Sequence, residues 1–122
     1  MIRVFIADTI YTERSALRLI LQYLDFEIAG EADNWPTTLA ELPISRSNLL
    51  LVDWELLSSA PGTALEELRR TCPKALIIIL ISRLEARQQA AFSVGADVFI
   101  SKNEMPERVI EQLRAAAQKI RD

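Results

Sequence analysis

Apolar residues along this chain follow two rhythms that take turns. Short apolar runs lie at residues 2–7, 26–32, 49–52, 75–81 and 97–101, and a stretch of helical spacing follows each. The runs at 49–52 and 75–81 show no polar alternation, which predicts strands covered on both faces. The run at 26–32 carries Glu27 and Glu31 and reads as nearer an edge. Ala16, Leu17, Ile20, Leu21 and Leu24 recur at three- and four-residue intervals, so they predict one buried helical stripe, with Thr12 as its N-cap. Asn34 caps a second helix, with Pro36 in its first turn, where a missing N–H costs nothing. Leu65 and Leu68 serve a third helix that ends before Pro73. Ala86, Ala90, Ala91 and Val94 serve a fourth, stopped by Gly95. Val109, Ile110, Leu113, Ala117 and Ile120 serve a fifth, opened at Asn103. Five strand-then-helix units predict an α/β fold with a doubly wound parallel sheet and helices on both faces. No repeat or linker interrupts the 122 residues, so one domain is expected over 1–122.

Composition narrows the function. The chain is 50% apolar and 25% charged, an ordinary globular balance. A net charge of −3 leaves no basic footprint for direct nucleic-acid binding. The apolar run at 75–81 is far shorter than the roughly 20 residues a membrane span needs. Met1-Ile2-Arg3-Val4 runs straight into a strand-like segment, so no signal peptide and a cytoplasmic setting are expected. A lone Cys72 rules out an internal disulfide. The absence of histidine excludes Ser–His and Cys–His nucleophile pairs, histidine metal ligands and a phosphohistidine role.

In an open parallel sheet, ligands gather outside the carboxyl ends of the strands. Here four strand ends meet a residue able to do chemistry: Asp8, Asp53, Ser82 and Lys102. Taken singly, each has a bland explanation. An Asp after a strand is commonly a turn residue. Ser82 with Glu85 fits a capping box, and a lone lysine is most often solvated. Taken together they place two carboxylates, a hydroxyl and an ammonium on one edge. Two close carboxylates repel and favour a divalent cation, and hard oxygen ligands without histidine or thiolate point to Mg²⁺. Lys102 is expected within a few ångströms of both acids, charged at neutral pH.

The strings Ile6-Ala7-Asp8, Leu50-Leu51-Val52-Asp53-Trp54-Glu55-Leu56 and Gly95-Ala96-Asp97-Val98-Phe99-Ile100-Ser101-Lys102 resemble the response-regulator receiver domain of two-component signal transduction, over essentially the whole chain. The resemblance implies a flavodoxin-like sheet in the order 2-1-3-4-5 with five helices. It implies that a sensor histidine kinase phosphorylates Asp53, assisted by Lys102 and Ser82. It further implies Mg²⁺ held by Asp8, Asp53 and the carbonyl of Glu55. Ser82 and Phe99 take the switch positions, and a homodimer would form through the face of the fourth helix, fifth strand and fifth helix. The chain departs from the family pattern at three places. Thr9 stands where a second acid is usual, which predicts weak Mg²⁺ binding. Leu57 stands where a proline is usual, and Arg83 where a small residue is usual. Asn103 follows the lysine in place of the common proline, as in some receivers of helix-turn-helix transcription factors.

Phe99 lacks a hydroxyl, so it either switches by packing alone or is a plain core aromatic. Thr9 and Arg83 keep open a second reading, a degenerate receiver that binds a protein partner without phosphorylation. A flavodoxin-like nucleotide binder using Thr9, Thr12 and Ser15 is disfavoured, because that segment has no glycine and carries Glu13. A metal-dependent phosphatase would need a second aspartate that Asp8-Thr9-Ile10 does not supply.

Overall fold

The computed structural model describes residues 1–57, 60–82 and 96–121. Strands β1 (Arg3–Ala7), β2 (Glu27–Ala32), β3 (Leu49–Asp53), β4 (Leu76–Ile81) and β5 (Val98–Ser101) form one sheet in the order β2-β1-β3-β4-β5. Every pairing is parallel. The described helices are α1 (Tyr11–Tyr23), α2 (Trp35–Ser45), α3 (Pro61–Thr71) and α4 (Pro106–Arg121). The stripe expected at Ala86, Ala90, Ala91 and Val94, its stop at Gly95, and Arg83 lie outside the described residues.

Strand alternation splits the core into two layers. Val4, Ile6, Leu49, Leu51, Ile78 and Leu80 pack with Leu21 of α1 and Val109, Leu113 and Ala117 of α4. Phe5, Leu50, Val52, Ile77 and Ile79 pack with Leu42 of α2 and Leu65 and Leu68 of α3. All five residues of β3 are buried, as an unalternating central strand requires. At the edge, β2 is polar: Glu27 pairs with Arg3 at 2.8 Å, and Glu31 receives Arg18 at 2.8 and 3.1 Å.

Two helix starts differ from expectation. Thr12 does not cap α1. The cap residue is Ile10, which lends no side-chain bond, and the Ile10 N–H instead donates to Asp8 Oδ1 at 3.0 Å. The last helix opens at Pro106, three residues beyond Asn103, with the proline in the first position, where its fixed φ suits a helix. Asn34 caps α2 as expected, accepting from the Thr37 N–H at 2.8 Å, with Pro36 in the first turn.

Candidate functional site

The strand registers bring the site together. Ala7 pairs with Val52, so Asp8, the next residue, emerges beside Asp53 at the end of β3. Ile81 pairs with Ser101, and the Lys102 N–H donates to the Ile81 carbonyl at 2.7 Å, so Lys102 leaves β5 on the same edge. Its side chain reaches across the end of β4. The ammonium lies 3.0 Å from Asp8 Oδ2 and 2.5 Å from Asp53 Oδ1. It also pairs with Glu13 Oε2, which arrives from the first turn of α1. One carboxylate oxygen each from Asp8, Glu13 and Asp53 fall within 4.8 Å of one another.

The acids are withdrawn from water. Asp8 is fully buried and Asp53 is 2% exposed. Among the described residues, Asp53 Oδ2 is buried without a hydrogen-bond partner, and Asp8 Oδ2 is buried against the Lys102 ammonium. Burial pushes the Asp53 carboxyl above its ordinary range, and Asp8 adds to the rise; Lys102 and the Glu55 amide pull the other way without cancelling it. Burial likewise raises Glu13, against the opposing pull of Lys102. For Lys102, burial works against the ammonium, but hydrogen bonds to Asp53, Glu13 and Asp8 outweigh it and hold the group above the usual amine range.

Ser82 stands one residue past β4 on this same edge, partly buried. Glu55 lies in the short 3₁₀ turn Trp54–Leu57 directly after Asp53, its side chain exposed. Phe99 of β5 is partly buried and packs on the α2–α3 layer, away from the carboxylates. Thr9 is exposed. Beside Lys102 a largely apolar cavity of about 200 Å³ runs between α1 and α4, lined by Leu17, Ile20 and Val109 among others. Glu13 is the site residue that the strand-end argument misses. Its signal was its place on the first helix, one turn past the acid that ends the first strand.

The donor set fits a hard divalent cation. Among the described residues it offers carboxylate oxygens only, one of them buried and unpartnered, with no nitrogen or thiolate ligand in the cluster.

A doubly wound 2-1-3-4-5 sheet with buried acids and a lysine converging on its carboxyl edge defines a flavodoxin-like domain with an acidic strand-end site. The chain belongs to the response regulator receiver domain family, whose model matches residues 4–114. It is 27% identical over 117 residues to the chemotaxis protein CheY of Thermotoga maritima, covering 95% of this chain and 98% of that one. A CheY-like receiver domain protein from Methanospirillum hungatei JF-1 superposes with a TM-score of 0.85 at 22% identity, covering 99% of this chain and 97% of that one. The isolated receiver domain of RcsB from Salmonella enterica serovar Typhimurium, solved with the phosphomimetic BeF₃⁻, gives 0.80 at 21% identity, covering 97% and 88%. At these identities the superpositions speak for the fold; the family match speaks for phosphorylation-based two-component signalling.

Proposed function

We propose that Asp53 accepts a phosphoryl group from the phosphohistidine of a sensor histidine kinase, and that residues 1–122 act as one cytoplasmic receiver domain. The observation that carries this reading is the Asp53 carboxylate, buried at a strand end with one oxygen on Lys102 and the other without a partner among the described residues. The free oxygen attacks phosphorus. A P–O bond forms as the P–N bond of the phosphohistidine breaks, and its electron pair leaves with the imidazole nitrogen. With acetyl phosphate, acetate leaves instead. Lys102 keeps its proton and pairs with a phosphoryl oxygen, and the Ser82 hydroxyl donates to another. Asp8, Asp53 and the Glu55 carbonyl would hold Mg²⁺, which supplies charge neutralisation at the transferring group. The chain's part is positioning and electrostatic pairing, and it is a phosphoacceptor, not a turnover enzyme.

Phosphorylation then biases the packing around Ser82 and the ring of Phe99. The face made by β5 and α4 reports that state to a partner, a second copy of this chain among them. Intact-mass measurement after acetyl phosphate and Mg²⁺ is expected to show one phosphoryl adduct, absent in Asp53→Ala. An adduct that survives in the mutant overturns the assignment. A parent that never gains mass turns the reading to a receiver that binds its partner without phosphorylation.

A further inference from the structure

We propose that Glu13, from the first turn of α1, is the third carboxylate of the cation site, standing in for the acid that the family usually carries at the position of Thr9. The inference rests on reading the Asp53 edge as the phosphoacceptor site, and it names the residue that prepares that edge for its cation.

Three observations converge on Glu13. The first is distance: an oxygen of Glu13 lies within 4.8 Å of oxygens of both Asp8 and Asp53. The second is burial: Asp8 and Asp53 are withdrawn from water, and Asp53 Oδ2 has no hydrogen-bond partner among the described residues. The third is charge. With the acids ionised, the single ammonium of Lys102 leaves the charge of two carboxylates unmatched, which is the charge of one divalent cation. Hard cations gain affinity as carboxylate ligands are added. Thr9, neutral and exposed, adds none.

The helix geometry explains why a glutamate serves at position 13. Side chains on an α-helix lean toward its N-terminus. A residue in the first turn of α1 therefore points back over the turn that carries Asp8. The extra methylene of Glu spans the step from helix to strand edge. The Glu13 side chain is 36% exposed while those of Asp8 and Asp53 are 0% and 4%, so it stands on the solvent side of the site. That is where a Mg²⁺ ion, which dehydrates reluctantly, would keep its waters.

A rival role for Glu13 is a clamp that only holds Lys102 in place. The two roles move cation affinity in opposite directions. If Glu13 ligates the cation, its loss weakens binding. If it only clamps the lysine, its loss frees the carboxylates and leaves binding equal or tighter.

The test is calorimetric titration with Mg²⁺, repeated with Mn²⁺, in the absence of any phosphodonor. Parent, Glu13→Gln and the double variant Glu13→Gln/Thr9→Asp are compared. The parent is expected to bind one ion. Glu13→Gln, which keeps the size of the side chain, is expected to lose about ten-fold in affinity or more, at least the cost of removing a group that merely supports a ligand. Thr9→Asp in that background is expected to restore binding by returning the charge at the usual position. Equal or tighter binding in Glu13→Gln overturns the proposal, as does a parent that binds no cation. Because no phosphodonor is present, these titrations stand whether or not Asp53 proves to be phosphorylated. Their failure leaves that assignment to its own mass measurement.

Discussion

Lys102 is held by the acids around it as much as it holds them. Its side chain is 18% exposed, and its carboxylate partners at Asp8 and Asp53 are nearly or wholly buried. Removing one member of a buried ion pair strands the other in low dielectric, a loss of about 3–5 kcal/mol. Lys102→Met is therefore expected to lower the urea midpoint of the cation-free protein by that order, and Mg²⁺ is expected to recover part of the loss. An unchanged midpoint would mean that the acids shed their charge when the lysine goes. Asp8, Asp53 and Lys102 could be read from the sequence because each meets the end of an apolar strand, and parallel pairing carries such ends to one edge. Glu13 could not be read that way. Its approach depends on where α1 begins, and a helix capped at Thr12 would make Glu13 its opening residue. The actual start at Tyr11 makes it the third, part of a turn that closes over Asp8.

Among the elements, helix starts respond to residues that apolar spacing does not report. In α2 the local chemistry is complete: Asn34 is extended, its side chain takes the Thr37 N–H, and Pro36 follows. Asn34→Ala is expected to cost about 1 kcal/mol in urea unfolding, with Asn34→Ser recovering most of it. A loss near zero would show that water satisfies the freed N–H equally well. In α1 no cap side chain is present, and Asp8 takes the Ile10 N–H while also serving the site. Apolar spacing puts the cap ahead of the stripe, and here Thr12 was the wrong residue. The strands were more legible. Their limits shift by one residue at each of the five strands, because a short apolar run bounded by polar or turn residues leaves little room for a larger error.

For the whole molecule, the topology was legible because five strand-then-helix units leave few ways to cover both faces of a parallel sheet. The electrostatics of the assembled edge were not, since they depend on burial. Asp53 and Glu13 are raised from ordinary values of 3.8 and 4.5. The folded site thus keeps protons that the unfolded chain has already released. That contribution favours folding below the ordinary values and is lost as pH rises through the raised ones, opposite in sense to acids whose pKa is depressed on folding. In cation-free buffer, Asp53→Asn is expected to raise the urea midpoint at neutral pH, and the gain is expected to shrink as pH falls toward about 4. A gain independent of pH would separate it from the Asp53 proton. The far edge of the sheet matters for a different reason. A bare strand edge invites a strand from another molecule, and β2 is such an edge. Its run carries Glu27 and Glu31, each engaged by arginine. A strand from another molecule docking there would meet those charged side chains at the edge. Charge along that edge works against its use as a template for another molecule's strand.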